Sequence, residues 1–321
     1  MERHQVPLYV AALVVGTLVG LLVPDVSRPA ELAINPALGL LLYVTFLGVP
    51  FRRIGRAFRD GRFLATVLVV NFVVVPAVVW PLSRIVAHDQ SLLIGVLFVL
   101  LTPCVDYVIV FTGLAGGARD RLVAAAPLLL LAQMILLPLY LWFFVGPELV
   151  AEIDPAPFVE AFALLIALPL AAAGLTQLAA RTAWGARAQE ALLAAMVPLM
   201  MLTLAVVVAS QIADVGTQVG ALLLTIPVYL LFAAVMVPIG AAAGTVGGLD
   251  IPGRRAVVFS GVTRNSLVVL PLVLALPPVF DLVPLVVVTQ TLVELLVMVV
   301  FIRLVPRLVP ARRPHQVGGQ R

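Results

Sequence analysis

Apolar residues run through this chain in stretches of about twenty, separated by short polar punctuation, and about twenty apolar residues span a bilayer. Ten stretches stand out: 7–23, 33–50, 63–86, 91–115, 122–145, 156–179, 189–210, 219–244, 255–277 and 281–304. The pattern predicts an all-α polytopic membrane protein with ten transmembrane helices. The first stretch, Pro7 to Val23, follows a short N-terminus and lacks a small-residue cleavage site, so it reads as a retained span.

Composition agrees with the pattern. The 321 residues are 63% hydrophobic and 11% charged, whereas a soluble domain carries about 25% charged residues. There is no lysine, and the arginines follow the joins between stretches. One side collects Arg3; Arg52, Arg53, Arg56, Arg59 and Arg62; Arg119 and Arg121; Arg181 and Arg187; Arg254 and Arg255; and Arg303, Arg307, Arg312, Arg313 and Arg321. The opposite side has Arg28 and Arg84, and most of the acids, including "GPELVAEIDPAP" (146–157). The positive-inside rule then puts both termini in the cytoplasm of a cell (plasma) membrane protein. The net charge of +4 is set by topology and is no nucleic-acid footprint. The basic run "RRIGRAFRDGR" (52–62) could also meet anionic lipid, although topology explains it. The single cysteine excludes an internal disulfide.

Ten spans with both termini on one side suggest two five-helix halves, 1–150 and 151–321, the second inverted because five is odd. Thr102 and Thr263 stand at the same separation as Gln133 and Glu294, and Pro76 and Pro238 at one residue more. These pairs fall in spans three and eight, four and nine, and five and ten. Inverted repeats are a recurring plan of secondary transporters, with the site at discontinuous helices. Spans four and nine are the interrupted ones, at "LTPCVD" (101–106) and "SGVTRNS" (260–266), so they are expected to be broken, crossing helices. Irregular backbone at that depth must be buried in protein or line a wet cavity.

Each interruption reads as a helix restart. Thr102 would cap, Pro103 would take the first helical position, and Cys104 would fall in the first turn. Thr263 would cap the matching half-helix, followed by Arg264 and Asn265. Two positive helix ends would then meet near midplane and favour an anion, a polarised oxygen or a thiolate. A lone membrane cysteine is otherwise a small packed hydrophobe. Asp106, Arg264 and Glu294 each cost roughly 2.5–3.5 kcal/mol or more at a bilayer centre, so each needs a partner or a function. Asp106 and Arg264 are expected to pair across the crossing. Asn71, Gln133, Gln290 and Asn265 could tie helices together, and Gly16/Gly20 and Gly240/Gly244 have the spacing of packing faces. No nucleotide-binding run, zinc-type His/Glu spacing or Ser/His pair occurs, which argues against an ATP motor, a cofactor or an enzyme.

At these residues the chain resembles the bile acid:sodium symporter superfamily, and within it the arsenite efflux permeases. The resemblance rests on "VLLTPCVDYVIVFTGLAGGARD" (99–120), "VVNFVVVPAVVW" (69–80) and "TLVELLVMVV" (291–300), and covers nearly the whole chain. It implies a core bundle of spans 3–5 and 8–10 and a panel of spans 1, 2, 6 and 7. It implies that Cys104 matches the required cysteine and Glu294 the tenth-span glutamate. The chain departs from those permeases after the ninth-span break, where "TRNSLV" (263–268) puts Ser266 in the place of a glutamate and adds Arg264, while span four gains Asp106. The expected substrate site is Thr102, Cys104, Asp106, Thr263, Arg264, Asn265 and Ser266. Glu294, Gln133, Asn71 and Gln290 are its coupling or structural polar residues. Cys104 would ligate the metalloid, since a soft thiolate suits a soft centre. The function implied is secondary efflux of arsenite, or antimonite, by proton antiport. The alternative is sodium-coupled symport of an organic anion, with Arg264 meeting its carboxylate. A membrane-embedded sensor or enzyme is a third class, with no soluble domain or catalytic motif behind it.

Overall fold

A computed structural model describes residues 5–48, 60–105, 107–146, 160, 163–180, 182–274, 276–280 and 282–310. The secondary structure named here is helical: α1 (Gln5–Leu22), α2 (Ser27–Gly48), α3 (Gly61–Ser83), α4 (Gln90–Leu100), α5 (Tyr107–Leu114), α6 (Arg119–Val145), α7 (Leu168–Ala179), α8 (Ala183–Ala194), α9 (Met196–Leu222), α10 (Thr225–Val246), α11 (Ile251–Val262), α12 (Ser266–Leu274) and α13 (Leu282–Leu308). Aspartates start three of the helices. Asp60, Asp89 and Asp250 accept hydrogen bonds from the backbone N–H of Phe63 (3.3 Å), Leu92 (3.0 Å) and Gly253 (3.1 Å), each filling one of the donors a helix start leaves unpaired.

Five helices are individually long and apolar enough to cross a membrane: Ser27–Gly48, Gly61–Ser83, Arg119–Val145, Gly220–Val246 and Leu282–Leu308. The pair Ala183–Ala194 and Met196–Ser210, bent by 41°, makes a sixth if taken as one span. The expected spans 91–115 and 255–277 are each divided, as α4 with α5 and α11 with α12. Of the two other expected spans, 7–23 holds the shorter apolar helix Pro7–Leu22, and 156–179 holds the shorter apolar helix Leu168–Ala179 in its second half, with 156–159 and 161–162 outside the described residues. Large apolar side chains such as Leu22, Leu32, Ile135, Phe143, Leu175 and Leu296 are exposed on the helix surfaces, as a lipid-facing exterior requires. The chain is a multi-pass membrane protein.

The helices pack in two groups. In the first, α1, α2 and α7–α9 lie against one another. A Cβ at Gly16 would come within 2.6 Å of the Ala205 carbonyl oxygen, so only glycine admits this approach of α1 to α9. Tyr43 and Thr176 share a 2.9 Å hydrogen bond, and Gln177 Nε2 donates to the Leu47 carbonyl at 3.0 Å. In the second group, α3–α6 interleave with α10–α13. Gly240 and Gly244 seat α10 on α11, where a Cβ would meet Val258 Cα at 2.9 Å and Arg254 Cα at 3.0 Å. Contacts of α9 with α13 and of α12 with α2 join the groups.

Several joins expected on one side do meet at one end of the second group. Arg121 bridges Asp60 (3.1 Å) and Asp250 (2.6 Å). Arg255 donates to the carbonyls of Ala115 (3.0 Å) and Val309 (2.9 Å). At the other end, Trp80 packs with Phe143 and Phe144, and Arg84 lies 4.1 Å over the Trp80 ring. Aromatic residues of this kind gather at membrane interfaces.

Candidate transport site at the helix crossing

Two interrupted helices cross at their breaks. Pro103 and Arg264 form an antiparallel bridge between two short extended segments. The Cys104 N–H donates to the Thr263 carbonyl at 3.2 Å, and the Asn265 N–H to the Thr102 carbonyl at 2.9 Å. Donors and acceptors freed by the breaks are thus satisfied by one another, the condition for irregular backbone inside a membrane protein.

The threonines do not act as the sequence reading expects. Thr102 Oγ1 donates back to Phe98 O (2.9 Å) and Val99 O (3.1 Å), and Thr263 Oγ1 to Phe259 O (2.7 Å). Both close the end of the preceding half-helix instead of capping the next one. A threonine hydroxyl readily bonds the carbonyl four residues back, and a proline holds the residue before it out of the helical region. The chain therefore stays extended through Pro103 and Cys104, and α5 begins at Tyr107. Pro103 is not at a first helical position, and Cys104 is not in a first turn. In the second half the cap is Asn265, whose Oδ1 accepts from the Val268 N–H at 3.2 Å.

Four helix ends meet at this crossing, and each pair takes a charge of the complementary sign. The Arg264 side chain is fully buried and turns toward the C-terminal ends of α4 and α11. Its guanidinium donates to Leu100 O (3.3 Å), Ser260 O (2.6 Å), Gly261 O (2.8 Å) and Asn71 Oδ1 (2.8 Å). Its carbon lies 5.4 Å from the centre of the Phe232 ring. The three carbonyls stand where a helix leaves its acceptors unpaired and its dipole is negative. Asn71 belongs to a π-turn, Val70–Val74, inside α3, and such turns recur at functional sites. Its amide nitrogen donates to Val67 O and Ser260 Oγ, both at 2.9 Å, so its oxygen faces the cation.

Glu294 lies where α5 and α12 begin. It is 5% exposed and accepts from the Tyr107 hydroxyl (2.6 Å), the Arg264 backbone N–H (2.8 Å) and the Gln290 amide. Three donors satisfy a buried carboxylate far better than one. A small pocket opens beside it, lined by Leu100, Tyr229, Phe232, Val262, Gln290 and Glu294. Several buried polar atoms have no hydrogen-bond partner among the described residues: Arg264 Nε, Asn265 Nδ2, Ser266 Oγ and Gln290 Oε1 at the crossing, and both amide atoms of Gln133 on α6.

Thus the crossing brings together Thr102, Cys104, Thr263, Arg264, Asn265, Ser266, Asn71, Gln290 and Glu294. Asp106 lies outside the described residues, and with it the expected pair with Arg264. Gln133 is buried, and its amide has no hydrogen-bond partner among the described residues. Tyr107 and Ser260 belong to the network although the sequence reading passed over them. A tyrosine hydroxyl immediately after the break was the available signal for the first.

The sequence model of the sodium bile acid symporter family matches residues 35–218. This chain belongs to the sodium bile acid symporter family. The match takes in the first break with Cys104 and ends before the second, so Arg264 and Glu294 lie outside it. No curated protein matches the chain. Members of the sodium bile acid symporter family are transporters and not enzymes, and the chain is a membrane transporter of that type.

Proposed function

We propose that the chain exports a trivalent metalloid, arsenite and by the same chemistry antimonite, in exchange for protons. The observation that carries this reading is the position of Cys104. The only thiol of the chain is built into the extended segment of the first break and hydrogen-bonded through its backbone to the second. Arsenite at neutral pH is an uncharged trihydroxide with a thiophilic centre. One thiolate binds such a centre and still lets it go, and hydroxyls need donors and acceptors. The unpartnered atoms of Asn265, Ser266 and Gln290 supply both kinds. Glu294 is the group assigned to carry the exchanged proton.

Two observations weigh against an organic anion. The Arg264 guanidinium is committed to four oxygens of the protein, and the neighbouring pocket carries the Glu294 carboxyl group. A substrate carboxylate would meet like charge there.

The proposal includes ten spans in two inverted halves, a cell-membrane location and both termini in the cytoplasm. It also takes spans 3–5 and 8–10 as the core and spans 1, 2, 6 and 7 as the panel. The bond from the Cys104 N–H to Thr263 and its counterpart from the Asn265 N–H to Thr102, with the like back-bonds of the two threonines, support the two halves. The cluster of Arg121, Asp60 and Asp250 supports the common side of the joins. Expression in an arsenite-sensitive bacterial strain tests the function. The wild type should restore growth on arsenite, and Cys104→Ser should not while reaching the membrane in equal amount. Sodium-dependent uptake of a bile acid, with no protection from arsenite, would transfer the assignment to the organic-anion carrier.

A further inference from the structure

We propose that the Arg264 guanidinium is a resident cation occupying the position a coupling sodium ion would take, so that the transport cycle does not draw on sodium. In transporters with broken helices, unwound carbonyls and half-helix C-terminal ends coordinate the coupling cation. Here those groups converge on a side chain. Leu100, Ser260 and Gly261 offer carbonyl oxygens from the ends of α4 and α11, and Asn71 adds an amide oxygen from the π-turn of α3. Three separate helices thus supply four neutral oxygens around one positive group. Among the described residues, the contacts that compensate the Arg264 side chain are these oxygens and the Phe232 ring face.

The arrangement differs from an ordinary buried arginine. A structural arginine holds a carboxylate in a forked pair. The closest carboxylate of the described network, Glu294, instead takes the backbone N–H of the same residue. The side chain and the main chain of Arg264 therefore serve opposite poles of the crossing. The positive group fills the negative helix ends, and the main chain helps to hold the acid at the positive ends. With a permanent cation at the first position, the acid of the described network left to exchange a mobile ion is Glu294, and a carboxyl group exchanges protons. The inference deepens the proton-exchange reading above and rests on it for the transport cycle. Its test needs no metalloid, so either proposal can fail alone.

Purified full-length wild type, Arg264→Lys and Arg264→Ala are unfolded thermally in detergent, in sodium chloride and in N-methylglucamine chloride at matched ionic strength. Wild type and Arg264→Lys, which keeps a cation, should unfold at the same temperature in both salts. Arg264→Ala should unfold earlier and gain several degrees, saturably, from sodium alone, because an ion that binds only the folded state raises its stability. A saturable sodium-dependent rise in the wild type would overturn the proposal. So would an Arg264→Ala protein that is folded and indifferent to sodium, since its oxygens would then be no cation site. If Arg264→Ala does not survive extraction, the lysine variant decides: sodium stabilisation there would equally overturn it.

Discussion

The two breaks begin alike and end differently. At the first, Thr102 turns its hydroxyl back on Phe98 and Val99, and at the second Thr263 does the same to Phe259. The next residue is Pro103 in one and Arg264 in the other, and these two face each other in the bridge. The residue after that is Cys104 or Asn265, each donating its backbone N–H to the opposite threonine. The shared part is what the main chain needs in order to be broken inside a membrane. The unshared part is the chemistry: a proline and a thiol in one break, a guanidinium and a helix-capping amide in the other. One break forms the opening and presents a ligand, while the other neutralises the helix ends that the opening exposes.

Substitutions at matched positions test that division. The largest difference is expected between Arg264 and Pro103. Arg264→Met strands four buried acceptors and should lower stability by about 3–5 kcal/mol, whereas Pro103→Ala should cost about 0.5–1 kcal/mol. Denaturation of the two purified variants decides this, and equal losses would break the comparison. Glu294 and Gln133 come next. Glu294→Leu takes the acceptor from the Arg264 N–H and the Gln290 amide, while the Tyr107 hydroxyl keeps the Arg264 carbonyl at 3.2 Å, and should cost about 2–3 kcal/mol. Gln133→Leu removes an amide that has no partner among the described residues and should be neutral or stabilising. Thermal scans in detergent report both, and a large loss at Gln133 would reveal a role the geometry does not contain.

Smaller effects separate Asn265 from Cys104. Asn265→Ala removes the cap of α12 and should cost about 1 kcal/mol, visible as a lowered unfolding temperature. Cys104→Ser should fall below that, because the bond it makes across the crossing comes from its backbone. The threonines should behave alike. Thr102→Val and Thr263→Val each lose back-bonds to a preceding carbonyl and should each cost about 0.5–1.5 kcal/mol. Unequal losses would mean that the shared part of the two breaks is less alike than their hydrogen bonds.

Much of this was legible in the residues. Uninterrupted apolar runs gave away the membrane, because the hydrocarbon core admits little else. The polar interruptions at 101–106 and 260–266 pointed to the breaks, and matched spacing linked Thr102 with Thr263. The direction of each threonine's hydrogen bond was not legible. A threonine before a helix and one after a helix are the same residue in a sequence, and the choice depends on whether the next residues continue extended. Arg264 was legible as a costly charge in need of a partner. Its partners were not, because they are main-chain carbonyls, which every residue carries. Asn71 reaches it only through the packing of α3 against α11, and a separation of 193 residues along the chain hides this.

Arsenite uptake by everted membrane vesicles in sodium-free buffer tests the central claim most directly. Everted vesicles expose the cytoplasmic face, so an acid lumen should drive arsenite inward as protons leave. The wild type should accumulate arsenite and lose that accumulation when the pH gradient is dissipated, and Cys104→Ser should accumulate none. Uptake by the serine variant equal to the wild type, or wild-type uptake that requires sodium and ignores the pH gradient, would contradict that claim.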